Sequence, residues 1–177
     1  RMSASLQFTI LGCGSSTGVP RLGGADGSGE WGACDPANPK NRRRRCSLLV
    51  RRGGTNVLVD TSTDLREQLL AARAGHIDAA LITHSHADQT HGIDDLRALT
   101  FISGRKIDFY ADALTLDQLT NRFFYCFSTV EGTGYAPILA GHMIREPFAP
   151  FAITGAGGPV VVQAFWQQHG PIRSLRS

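Results

Sequence analysis

"LITHSHADQTHGID", residues 81–94, sets three histidines and an aspartate within the eight positions 84–91. The run DAALIT at 78–83, just before them, reads as a short buried strand. His84, His86 and Asp88 then follow at intervals of two. On an extended segment alternate side chains share one side, so all three converge on a common point; on a helix the same spacing splays them apart. Imidazole nitrogen and carboxylate oxygen suit zinc or a similar divalent ion. Ile93 begins a predicted helix, and helix N-termini favour anionic ligands. The bland alternative is a polar turn whose histidines merely finish the strand. A lone His-x-His would favour that turn. His-x-His-x-Asp between an apolar strand and a helix is more specific and favours a metal site.

Outward from this stretch, strands and helices alternate. Residues 6–11 (LQFTIL) read as a strand running into GCGSSTG. Residues 12–41 are rich in glycine, with three prolines and few apolar residues, which predicts a long structured loop. Loops of that length are uncommon unless they serve a function. Residues 47–51 and 56–60 flank Gly53-Gly54 as a hairpin. TDLREQLLAARA at 63–74 is a helix by its spacing of Leu65, Leu69 and Ala72, with Thr63 as cap and Gly75 as stop. Residues 93–102 suggest another helix, 107–111 a strand, and 114–127 a third helix with Leu116, Leu119, Phe123 and Phe127 facing the core. Residues 152–154 and 160–166 read as later strands. With no repeat and no dividing linker, the pattern predicts one α/β layered domain, 1–177.

Composition narrows the class. A hydrophobic fraction of 42% and a charged fraction of 19% over 177 residues describe a globular chain able to bury a core. No run of about 18 apolar residues suggests a membrane span, and RMSASLQFTI lacks the apolar stretch of a secretory signal, so a cytoplasmic address is expected. The scattered Cys13, Cys34, Cys46 and Cys126 read as reduced thiols. Cys34 and Cys46 could also clip the long loop through a structural metal, although their spacing fits no standard finger. The net charge of +3 conceals KNRRRRCSLLVRR at 40–52 with seven cations and no acid, leaving 3 − 7 = −4 for the remainder. That distribution is narrower than nucleic-acid binders carry. The run is either a solvated loop or an anion-attracting rim. GCGSSTG admits two roles, a tight turn permitting close approach or a backbone phosphate cradle, and it is no Walker motif because no Gly-Lys-Ser/Thr follows.

The motif THSHADQTHG resembles the HxHxDH signature of the metallo-β-lactamase superfamily. FTILGCGSSTGVPR (8–21), WGACDPANPKNRRRRCSLLV (31–50), VLVDTSTDLREQLL (57–70) and HGIDDLRAL (91–99) are similar to its PhnP-like branch, which holds phosphoribosyl cyclic phosphodiesterases and lies near ribonuclease Z. The resemblance covers nearly the whole chain. It implies a metallo-β-lactamase-type αββα sandwich with up to two divalent ions at one edge, zinc foremost and manganese as alternative. His84 and His86 match ligands of the first metal and Asp88 a ligand of the second, with a catalytic role in orienting the nucleophile. FWQQHG matches the element that completes the first metal's histidine set and nominates His169, which on its own reads equally as a surface histidine.

Two departures accompany the resemblance. The signature has histidine where this chain has Gln89, and an amide oxygen is a weaker partner for zinc than imidazole. A bridging aspartate and a last histidine beyond His169 have no counterpart before Ser177, so the fold is expected to be incomplete at its C-terminus, with three alternatives open: a piece of a longer protein, a second copy of the chain covering the gap in a homo-oligomer, or a chain that has drifted from catalysis. The implied function is hydrolysis of a cyclic or small phosphodiester by metal-activated hydroxide. Two alternatives stay open: a non-catalytic metal-binding or interaction module, and a hydrolase of a thioester or lactam. No membrane or nucleic-acid partner is expected.

Overall fold

The computed structural model describes residues 5–146, 148–170 and 172–176. Its centre is a six-stranded sheet in the order of the sequence: β1 (Leu6–Gly12), β2 (Ser47–Arg52), β3 (Thr55–Val59), β4 (Ala79–Leu81), β5 (Ile107–Asp112) and β6 (Leu139–Ile144). The first three run antiparallel, and β3 to β6 run parallel. Helices α1 (Leu65–Ala71), α2 (Ala87–Thr90), α3 (Leu96–Ser103), α4 (Ala113–Arg122) and α5 (Phe124–Phe127) occupy the crossovers. Two hairpins follow, β7 (Phe151–Gly155) with β8 (Gly158–Val162) and β9 (Phe165–His169) with β10 (Ile172–Arg176).

Period-two alternation divides the sheet between two cores. Leu49, Leu58, Ala80 and Phe109 face the helices and pack on Leu65, Leu69, Leu96 and Leu119. Their neighbours Val50, Val57, Ala79 and Leu81 face the other way, against Ile153, Val160 and Val162 of the β7–β8 hairpin. The central strands are thus covered on both faces, which is why they read as unbroken apolar runs. Beyond the hairpin the second face lies open: Phe8 and Ile10 of β1 are 65% and 70% exposed.

Several elements differ from expectation. The helix expected over 63–74 starts at Leu65, and Asp64, not Thr63, is its first flanking residue. The Asp64 carboxylate makes no cap bond because it receives Arg45 through Nε at 2.9 Å, NH2 at 2.5 Å and the backbone N–H at 2.8 Å. Arg73, not Gly75, takes the left-handed conformation that ends this segment. The helix expected over 93–102 opens as a 3-10 turn, Ile93–Asp95. The one expected over 114–127 breaks at Phe123 into α4 and α5. Strand β6 was not foreseen, since LAGHMI has little β-propensity and gains its place by pairing in parallel with β5.

Most members of the basic run have structural partners, among them Asp64 for Arg45. Arg42 stacks on Trp31 with its guanidinium carbon 5.1 Å from the ring centre, Arg51 donates to the Ala72 carbonyl at 2.7 Å, and Arg52 donates to the Pro159 carbonyl. The backbone of Arg43 pairs both ways with Val19 at 2.9 Å. GCGSSTG also serves close approach: a Cβ on Gly12 would lie 2.1 Å from the Arg45 carbonyl, and the Gly14 N–H is used by the Arg44 carbonyl at 2.8 Å. No helix of the described residues is long and apolar enough to cross a membrane.

The hydrogen bonds from Arg45 hold the Asp64 carboxyl below the usual carboxylate range. A depressed carboxylate contributes stability that is complete above its unfolded value, about 3.9, and is lost as pH falls through the lower folded value. Asp64→Asn should therefore lower stability at pH 7 by about 1 kcal/mol, as befits a partly exposed ion pair. Urea unfolding across pH should show the gap to wild type closing towards acid, and a gap that does not change with pH would assign the loss to something other than the ion pair.

Candidate metal centre

The site forms where β4 ends. Beyond Leu81 the strand ends, a last ladder bond runs from the Ile82 N–H to the Tyr110 carbonyl at 2.8 Å, and residues 83–86 lead to α2 without regular structure. Side chains secure this segment instead. The Asp60 carboxylate accepts the Thr83 N–H at 2.8 Å and the Thr83 hydroxyl at 2.9 and 3.0 Å. Since that hydroxyl donates to Asp60, it accepts from His84 Nδ1 at 2.9 Å. The proton therefore sits on Nδ1, and Nε2 of His84 carries the lone pair that a ligand role requires. Asp60 itself holds φ at +62°. Thr90 donates to the His86 carbonyl at 2.9 Å, and the Thr61 N–H reaches the Gln89 carbonyl at 2.8 Å. Gly92 is required where this stretch meets residues 61–65, because a Cβ there would lie 1.9 Å from the Ser62 carbonyl.

His84, His86 and His169 come together. One nitrogen from each lies within 4.8 Å of the others, and no other group of three or more candidate ligands forms among the described residues. Ring centres are 4.6 Å apart for His84–His86, 4.8 Å for His84–His169 and 5.8 Å for His86–His169. His84 is buried, whereas His86 and His169 are exposed. The donor set fits a divalent cation. His84 Nε2 and His86 Nδ1 are 3.2 Å apart, and a tetrahedral zinc with bonds near 2.0–2.1 Å separates two nitrogen ligands by roughly 3.3 Å.

Asp88 is placed differently from the reading of three alternate side chains on one extended segment. It belongs to α2, so the period of two ends at His86, and its carboxylate is not among the ligand atoms that lie within 4.8 Å of one another. Its carboxylate accepts Nε2 of the buried Gln89 at 2.8 Å. A carboxylate only accepts, so the amide must present its nitrogen there. His91 turns elsewhere and meets Phe123 edge-on at 5.3 Å.

A cavity of about 650 Å³ opens beside His84 and His86, with Asp112, Arg145, Glu146 and Trp166 among its lining. Asp112 is committed to capping α4 through the N–H groups of Leu114 and Thr115 at 3.0 and 3.1 Å. Glu146 accepts the indole N–H of Trp166. All four cysteines are free thiols, and Cys34 and Cys46 join no candidate metal group. Burial pushes the Cys126 thiol up to about 12, which keeps it protonated.

The profile of the beta-lactamase superfamily domain matches residues 55–176. The chain belongs to the metallo-β-lactamase superfamily, on its PhnP-like side related to ribonuclease Z. Among solved structures it is similar to a diphosphatase of the PhnP family, with a TM-score of 0.76 and 31% identity over 97% of this chain and 61% of that one. It is 37% identical over 123 residues to a protein of Porphyromonas gingivalis named octanoyltransferase, covering 69% of this chain and 24% of the relative. It is 42% identical over 60 residues to ribonuclease Z of a Bradyrhizobium species, covering 33% of this chain and 20% of the relative. The chain thus spans less than two thirds of each of these relatives.

Asp60 and Thr83 were missed by the motif reading. The visible signal was an acid at the end of an apolar strand, VLVD, where burial demands a partner. Asp60→Asn keeps a side chain that tolerates the left-handed backbone but removes the carboxylate. It should weaken zinc binding about tenfold or more, as expected of a group supporting a ligand. Titration against a chromophoric chelator measures this, and wild-type affinity would separate Asp60 from the centre.

Proposed function

We propose that this chain is the metal-binding part of a phosphodiesterase acting on a small or cyclic phosphodiester, with His84, His86 and His169 holding one divalent ion. The observation that carries the reading is the convergence of three imidazoles, two of them with facing nitrogens 3.2 Å apart. Three neutral imidazoles are the donor set of a zinc centre that keeps an open position, and manganese is the alternative ion. When bound, the ion supplies Lewis acidity and a hydroxide at neutral pH. The protein's own contribution is geometric. Thr83 and Asp60 fix the His84 tautomer, Thr90 holds the backbone at His86, and the adjoining cavity admits the substrate. Asp88 follows two residues after His86, in the first turn of α2, and is assigned the task of orienting the attacking water. The PhnP-family diphosphatase and the ribonuclease Z, both named for acting on phosphate esters or anhydrides, support phosphorus chemistry. The name octanoyltransferase belongs to a protein of which this chain matches 24%, and it gives no comparable support for acyl transfer.

A second reading, a metal-binding module without turnover, is favoured by one observation. Gln89 presents N–H donors to Asp88 where the family signature has an imidazole. An amide nitrogen is no metal ligand, so a second ion would lose a strong donor there.

Turnover of bis(p-nitrophenyl) phosphate with added zinc or manganese separates the two readings. The expected outcome is slow hydrolysis abolished by His84→Ala, on the order of a hundredfold below a relative with histidine at this position. Zinc uptake with no turnover of phosphodiesters would leave the module reading.

Gln89→His should raise the affinity for a second ion, read by zinc titration and by metal content per chain. Unchanged stoichiometry and affinity would mean that position 89 does not face the metal site.

A further inference from the structure

Arg122, at the last position of α4, donates through NH1 to the carbonyl of Ser85 at 2.8 Å. Ser85 is the residue between His84 and His86. The two residues are 37 positions apart in sequence; Arg122 lies outside the signature and Ser85 fills its first variable position. We infer that Arg122 is a positioning residue for the His84–His86 pair, setting the direction of His86 relative to His84 through the peptide between Ser85 and His86. The inference rests on the metal-centre reading above.

The segment beyond β4 makes this role necessary. Its backbone lies outside the sheet, and the ladder bonds that would fix an extended chain end with Ile82, whose N–H reaches the Tyr110 carbonyl at 2.8 Å. From there side chains hold it at three successive places: Asp60 at Thr83, Arg122 at Ser85, and Thr90 at the His86 carbonyl. Asp60 and Thr90 come from strand and helix ends adjoining the segment itself. Arg122 alone of the three comes from the α4 side. Without it the peptide between Ser85 and His86 is free to rotate between two fixed points, and that rotation shifts the His86 side chain relative to His84, which Thr83 already holds.

Arg122 also starts from a fixed base. Immediately after it, Phe123 leaves the helical conformation at φ −120° and ψ 42°, is buried, and meets the His91 ring edge-on at 5.3 Å. This contact anchors the end of α4 against the same stretch that carries the candidate ligands. The bond itself is exposed, and an exposed hydrogen bond contributes little to global stability. Its effect should therefore be local.

The test compares zinc affinity in the full chain, the Arg122→Ala variant and the Arg122→Lys variant by competition with a chromophoric chelator. Thermal unfolding of each protein without metal is measured alongside. The expected result is a loss of about tenfold in zinc affinity for Arg122→Ala, the range for a group that orients a ligand. Arg122→Lys should keep most of the affinity, since an ammonium on a similar stem can donate the one bond required. The metal-free unfolding temperatures should coincide. Wild-type affinity in Arg122→Ala would overturn the assignment while leaving the centre intact. An affinity loss matched by a large drop in metal-free stability, with no rescue by lysine, would also overturn it, because Arg122 would then be merely structural. Failure of the unmodified chain to take up zinc would remove the metal centre itself and the role with it.

Discussion

The carboxylate of Asp60 is the point on which the site depends. It stands just beyond the end of β3, where the backbone turns into the left-handed region at φ +62°, and three separate pieces of chain meet there. Its N–H reaches the Leu81 carbonyl at the end of β4 at 2.8 Å, and its carbonyl accepts the Ser47 hydroxyl from the start of β2 at 2.9 Å. Its side chain takes both donors of Thr83. A buried carboxylate is costly unless its lone pairs are matched, and here the matching groups are the backbone and hydroxyl that aim His84. The same contacts that make burial of Asp60 tolerable define the tautomer of the candidate ligand. Fold and site are joined at this residue, since a shift of β3 against β4 would break both.

The parts of this arrangement that were legible in sequence share a property: they are periodic or local. Val57 and Leu58 facing opposite cores follow from alternation, and the pairing of β2 with β3 follows from the glycines at their turn. His84 and His86 followed from spacing, and His169 from the resemblance, and the three do converge. What could not be read was set by partners distant in sequence. Asp88 was grouped with the histidines because a period of two continues through it, yet the one-turn helix α2 overrides that period. Arg73 takes the left-handed position that Gly75 was expected to serve, showing that tertiary context outweighs residue preference over one or two positions. The arginines of 42–52 look like one cationic surface in a linear string. In three dimensions their partners are Trp31, Asp64, Ala72 and Pro159, none of which the string itself identifies.

The three candidate ligands are held to unequal degrees. His84 is buried and tied through Thr83 to the sheet, and His86 is exposed but sits two residues away on the same secured segment. His169 belongs to the β9–β10 ribbon, which joins neither the central sheet nor the β7–β8 hairpin. A two-stranded ribbon is marginal on its own in water, so this one depends on what its side chains meet. On β9 that is chiefly Trp166, which packs edge-on against Phe148 at 5.3 Å and lies against the second core. Under the proposed reading an ion at the histidines would then tie the ribbon to the sheet, because a ligand bound only by the assembled site favours assembly by its own binding free energy. The strength of that tie depends on how little Trp166 does alone. The sheet supplies two directed imidazoles, and the third comes from an element whose position the metal helps to determine.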